Sequence, residues 1–171
     1  VVFGVNNELV EAKFKGMFVT AVFGKLNIKT GELVFINAGH ESILTFDENK
    51  NYEYIKSEMP PIGIIKYFTE SMVKSKTLNL KDKTFVVYTD GVTEGYLKNG
   101  QELGADGVQK IVKDLKDVSP KIIVDSIAEQ LDWGAEKLRD DITCLALNLK
   151  NTELIKPIKK KRQEIKEEDK E

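Results

Sequence analysis

The run TFVVYT, residues 84–89, constrains this chain more than any other stretch. It is continuous and apolar, without the alternation of a strand that faces water on one side. A strand of that kind sits in the middle of a sheet and is covered on both faces. It stops on Asp90 and Gly91, within the segment YTDGVTEG at 88–95. Asp-Gly is a common turn pair. A carboxylate at the mouth of a sheet is also a metal ligand in waiting, and the residues around it leave both readings open.

The segments on either side supply the rest of a sheet system. Residues 17–28, MFVTAVFGKLNI, are rich in β-branched and aromatic side chains and read as a strand. Thr30-Gly31 then separates it from a return strand at 32–38, a hairpin signal. SILTFD (42–47) and YEYIK (52–56) flank the polar turn ENKN and form a second hairpin. MPPIG (59–63) is a loop, because two prolines and a glycine break ladders and helices alike. SMVKSKTL (71–78) alternates well enough for a half-exposed strand. In segment 1–12, Val1, Val5 and Leu9 recur at helical spacing, as in the end of a helix whose beginning is missing.

After Gly95 the period changes. Val108, Ile111, Val112 and Leu115 mark one face of a helix over 107–118. Ser119 as N-cap and Pro120 at the first position open a second helix over 119–136, with Ile123, Ile127 and Leu131 on its apolar face. DITCLALNL (141–149) reads as a last strand. Strands, two helices and a strand make an α+β domain in which helices cover an antiparallel sheet system.

Size and charge narrow the class. A chain of 171 residues builds one core-bearing domain. Lys and Arg number 26 against 28 Asp and Glu, a balance that argues against nucleic acid as a partner. No apolar run reaches the length of a membrane span. Cys144 is the lone cysteine, so there is no internal disulfide, and a reducing, cytoplasmic setting fits. Residues 151–171 have almost nothing to bury and read as a disordered, charged tail or a solvated helix. The chain begins at Val1 without a Met, as a piece of something longer does.

Two acidic clusters sit at strand ends: Asp90 closes TFVVYT, and Asp140-Asp141 opens the last strand. If those strands are neighbours, the carboxylates converge at one sheet edge. Hard cations such as magnesium or manganese prefer oxygen ligands and keep several waters. Two convergent carboxylates make half of such a site; the plainer alternative is a turn at Asp90 and a helix-to-strand loop at Asp140.

The blocks GMFVTAVFGKLNIKTGELVFINAGH (16–40), PPIGI (60–64), YTDGVTEG (88–95) and RDDIT (139–143) together resemble the later part of the metal-dependent, type 2C protein phosphatase domain. The similarity covers residues 1–150. It points to the bacterial branch that includes the sporulation stage II protein E and the phosphatases of the sigma-B stress pathway. The resemblance implies a sandwich of two antiparallel sheets flanked by helices, with its first strands ahead of residue 1. It implies hydrolysis of phosphoserine or phosphothreonine with two manganese or magnesium ions. It makes Asp90 and Asp140 metal ligands, with Asp141, Gly91 and Glu94 as neighbours that support the site or, for Asp141, substitute in it. The family's other ligands lie in Gly-Gly-Asp and Asp-x-x-Gly motifs, which this chain lacks. Asp47 and Asp82 fall in polar turns, and Asp106 falls at a helix start, where capping is the cheaper role.

Other residues carry quieter expectations. His40, the sole histidine, ends the segment NAGH. A general-acid role suits an imidazole, but a loop-shaping hydrogen bond is the favoured reading, with Asn37 and Gly39 fixing the bend. The family commonly continues NAGH with Asn-Pro-Pro, whereas this chain has Glu41-Ser42-Ile43. Trp133, Phe85 and Tyr88 are assigned to core packing. The leading function is a phosphatase acting on a phosphorylated regulatory protein of the anti-sigma-factor antagonist type, under an upstream sensor domain. The alternatives are an inactive phosphatase-like module that docks a signalling partner, and a plain globular domain. An open sheet edge would favour a homodimer.

Overall fold

In the computed structural model, which describes residues 1–12, 16–134 and 140–150, the apolar run becomes strand β6, Thr84–Tyr88, inside a sheet. The other strands are β1 (Ala21–Leu26), β2 (Glu32–Ala38), β3 (Ile43–Phe46), β4 (Tyr52–Ile55), β5 (Ser75–Asn79) and β7 (Cys144–Leu147). The helices are α1 (Val2–Glu11), the short α2 (Asp90–Thr93), α3 (Gly104–Asp114) and α4 (Pro120–Gln130). Two antiparallel sheets form, with strand orders β1-β2-β5 and β4-β3-β6-β7.

Strand alternation sorts the core into three zones. Leu33 and Phe35 of β2 meet Ile43 and Phe85 of the other sheet, with Phe35 and Phe85 packed edge to face at 5.1 Å. This is the filling between the sheets. Leu44, Phe46, Val86 and Tyr88 point the opposite way, against Val108 and Val112 of α3 and Ile123 and Ile127 of α4. On the outer face of the smaller sheet, Ala38, Met59, Ile62 and Phe68 pack with Val2 of α1. The result is the α/β/β/α sandwich that the resemblance implies, and β6, Phe85 on one face and Val86 and Tyr88 on the other, is why its sequence is apolar throughout.

Several elements differ locally from the sequence reading. The helical stripe of α1 is Val2 and Asn6, both buried, whereas Val1 is 96% exposed. Asn6 is buried because its side chain is satisfied: it accepts from the Gly63 N–H and donates to the Ile65 carbonyl, both at 3.0 Å. The stretch 71–78 is only partly a strand. Glu70–Met72 form a 3-10 turn, closed by the Met72 N–H on the Thr69 carbonyl, before β5 begins. Helix α3 stops at Asp114 because the Lys50 ammonium caps the Lys113 and Leu115 carbonyls. Leu115 still packs on the helical core.

Ser119 occupies the N-cap position ahead of Pro120, but its hydroxyl makes no capping bond; its N–H donates to Asp117 instead. Asp106 lies in the first turn of α3, whose cap position is Leu103 and carries no side-chain bond. Phe85 and Tyr88 are core residues, but Trp133 is not: it is 54% exposed. Its indole N–H donates to the Ala128 carbonyl at 2.8 Å, so the ring tethers the end of α4 rather than filling the interior. The charged tail, 151–171, lies outside the described residues, as do the last two positions of the longer helix expected over 119–136.

The chain passes from the first sheet to the second through Asn37-Ala38-Gly39-His40. The Asn37 amide donates to the Glu41 carbonyl, its oxygen accepts the His40 N–H, and the Gly39 N–H donates to Ser57 Oγ. Gly39 has φ +68°, and a Cβ there would lie 2.4 Å from Cγ of Pro61. Gly39→Ala therefore meets both a left-handed backbone and a proline ring. It is expected to cost roughly 1–3 kcal/mol, measured as a shift of the urea midpoint at unchanged m-value; wild-type stability would show that the bend relaxes freely.

Candidate functional site

Strand β6 delivers Asp90 to one end of the larger sheet, and its neighbour β7 brings Asp140 and Asp141 to the same end. The register pairs Tyr88 with Cys144, so the residues just beyond each strand are forced together. Thr89 then locks them. Its N–H donates to the Thr143 carbonyl at 3.0 Å, and its hydroxyl donates to the Asp141 carbonyl at 3.0 Å. The same oxygen accepts the Thr143 N–H at 2.9 Å.

Gly91 sets how closely the two turns approach. A Cβ there would stand 2.5 Å from the Asp141 carbonyl oxygen and 3.4 Å from that of Asp140. No side chain fits in that space. Gly91 is thus a close-approach glycine, buried between its own helix and the aspartate pair.

The carboxylates themselves stay in solvent. Asp90 and Asp140 are exposed. One oxygen of each accepts the N–H of the next residue, at 2.9 Å for Asp90 and 2.7 Å for Asp140. Those bonds orient each carboxylate. Asp141 contributes its carbonyl to the Thr89 lock, and its side chain is exposed. Glu94 is exposed, and its N–H closes α2 on the Asp90 carbonyl. The Asp90 carbonyl also accepts the Thr93 hydroxyl.

A cleft of about 100 Å³ opens beside Asp90, lined by Thr20, Gly39, His40, Glu41, Thr89 and Asp90. The sequence reading had assigned neither Thr20 nor Glu41 to the site. Thr20 precedes β1, and the pairing of Ala21 with Ala38 sets it beside the NAGH bend. Its hydroxyl lies 3.1 Å from His40 Nδ1, so the histidine does make a loop-shaping contact, at the wall of the cleft. The larger apolar groove, about 670 Å³ on the outer face of the smaller sheet, shares no lining residue with it. Cys144 offers no alternative nucleophile: burial pushes its thiol up to about 11, so it stays protonated at neutral pH.

As metal donors these residues are a partial set. Asp90 and Asp140 offer oxygen donors of the kind that hard cations take. Among the described residues no group of three or more His, Cys, Asp or Glu side chains is placed to hold a metal, so the pair does not by itself make a two-ion centre.

The Thr89 lock can be tested directly. Thr89→Val keeps the shape but leaves the Asp141 carbonyl and the Thr143 N–H without their side-chain partner. The expected loss is about 0.5–1.5 kcal/mol in chemical denaturation, with Thr89→Ser recovering most of it. Equal behaviour of the two variants would mean the lock contributes nothing.

Comparison with known proteins agrees with this architecture. The family model of Stage II sporulation protein E (SpoIIE) matches residues 2–150. Protein IcfG of Synechocystis sp. is 33% identical over 78 residues, which is 46% of this chain and 12% of that protein. The phosphatase domain of the cell fate determinant SpoIIE from Bacillus subtilis, presoaked with manganese, superposes with a TM-score of 0.60 at 18% identity, covering 88% of this chain and 65% of that one. The RsbU and RsbW domains of Rv1364c from Mycobacterium tuberculosis give 0.52 at 22% identity, covering 81% of this chain and 38% of that one. The chain thus spans a small part of the curated relative and just under two thirds of the SpoIIE phosphatase domain. With a family match running from the first helix through the last strand, the chain belongs to the Stage II sporulation protein E (SpoIIE) family and shares the fold of the SpoIIE PP2C phosphatase domain.

Proposed function

We propose that this chain forms the later part of a metal-dependent phosphatase that hydrolyses phosphoserine or phosphothreonine on a regulatory protein. Asp90 and Asp140 are its metal-binding carboxylates. The observation that carries this reading is the contact of Gly91 with the Asp140–Asp141 peptide, which brings two acidic turns fifty residues apart to one sheet end. Manganese or magnesium, when bound, supplies Lewis-acid charge and a nucleophile usable at neutral pH.

The chain's own residues do the positioning. Asp90 and Asp140 each hold one oxygen against the following N–H, and the other oxygen of each would be available to a cation. The Thr89 lock keeps their spacing fixed. Gly91 admits the aspartate loop, and Asp141 and Glu94 add negative charge nearby. His40 and Thr20 shape the opposite wall.

Two carboxylates are too few for two hard cations, so the 171-residue chain alone turns over little substrate and binds divalent metal weakly. Further ligands come from the part of the domain that this chain does not span. Substrates of the anti-sigma-factor antagonist type, an upstream sensor domain and a cytoplasmic setting complete the reading. The pairing of RsbU and RsbW domains in one mycobacterial protein supports such a signalling context. An inactive phosphatase-like module that docks a partner is the second reading, favoured by the absence of a third acidic donor among the described residues.

The test is phosphopeptide hydrolysis with added manganese, on this chain and on an extended chain carrying the rest of the domain. Turnover is expected only in the extended chain. There, Asp90→Asn or Asp140→Asn lowers it at least about 100-fold, more than the loss of a ligand-supporting partner, while stability moves by only about 0.5 kcal/mol. Robust turnover by the 171-residue chain, or wild-type rates in either variant, would overturn the ligand assignment.

A further inference from the structure

We propose that Glu41 selects substrates carrying a lysine or arginine beside the phosphorylated residue. This inference rests on the phosphatase reading, and it starts from the cleft next to Asp90. Glu41 forms the rim of that cleft together with His40. Its backbone is pinned, since its carbonyl accepts the Asn37 amide at 2.9 Å and the preceding His40 N–H is held by the same asparagine. Its residue is exposed, and among the described residues no hydrogen bond or ion pair engages its carboxylate.

Glu41 and Asp90 line the same cleft, so a substrate group entering beside Asp90 passes the Glu41 residue.

A negative rim is a poor choice for a cleft that receives a phosphoryl dianion. The charge of Asp90 is offset by the cation it is proposed to hold, whereas Glu41 has no such partner. Its repulsion is relieved when the substrate brings a cation of its own. Adjacent residues of an extended peptide are about 3.3 Å apart. A basic side chain next to the phosphorylated one, on its long flexible stem, spans the remaining distance to the rim. A neutral or acidic neighbour leaves the repulsion in place. Where the resembling family continues with Asn-Pro-Pro, this chain has Glu41-Ser42-Ile43, so this carboxylate is a feature of the chain itself.

The experiment uses the full-length, manganese-loaded protein and peptides bearing a non-hydrolysable phosphonate in place of phosphoserine. The peptides differ only in having Lys or Ala at the adjacent position. Fluorescence anisotropy gives their affinity ratio for wild type and for Glu41→Gln. Wild type should prefer the Lys peptide roughly two- to fivefold, the range of an exposed ion pair. The ratio should fall to about one in Glu41→Gln, and also in about 1 M salt. Glu41→Lys should prefer an otherwise identical Glu peptide. A Lys preference that survives Glu41→Gln overturns the inference, and so does a wild type with no preference or no binding. Hydrolysis of a generic phosphopeptide, run in parallel, separates the failures: turnover without preference sinks only the role of Glu41, whereas no turnover and no binding sinks the phosphatase reading as well.

Discussion

The closeness of Gly91 to the Asp140–Asp141 peptide is the constraint on which the rest depends. Here the backbone approach, with no room for a Cβ, occurs just beyond the ends of two strands paired in register. It follows from β6 and β7 being neighbours, and β6 is held in place by the packing of both its faces. Thr89 then holds the two turns with three hydrogen bonds. Without this sequence of contacts, Asp90 and Asp140 would be two unrelated surface acids.

The remaining layers support that end of the sheet from a distance. Helices α3 and α4 pack on Val86 and Tyr88, so the strand cannot slide without opening the helical core. On the far side, Asn6 of α1 holds the Gly63–Ile65 segment, and Ile62 pairs with Val19 just before Thr20. Pro61 sits against Gly39 at the bend that presents His40. The cleft beside Asp90 is therefore built from segments anchored in both sheets, not from a free loop.

Much of this was legible in the residues. The unbroken apolar run announced a central strand, Thr30-Gly31 and ENKN announced hairpins, and the change of period after Gly95 announced α3 and α4. The pairing of β6 with β7 was legible only as a condition, because nothing local in either strand names its partner. Two of the misreadings, in α1 and at Trp133, share one cause: a side-chain hydrogen bond decided which residue is buried and which is exposed. Asn6 is buried because Gly63 and Ile65 satisfy it. Trp133 is exposed because Ala128 offers its carbonyl at the end of α4. Thr20 and Glu41 left no signal of their own, since their place at the cleft follows from the register of β1 with β2 and from the bend at Gly39.

The central claim is that Asp90 and Asp140 serve one cation position, and weak binding does not prevent a direct test. Trace manganese added to the isotope-labelled chain broadens nuclear magnetic resonance signals only near the ion. The account predicts that the amides of Gly91 and Asp141 broaden together at the lowest manganese concentrations, and that Asp90→Asn or Asp140→Asn relieves both. Broadening of one turn without the other, or broadening that survives both substitutions, would contradict it.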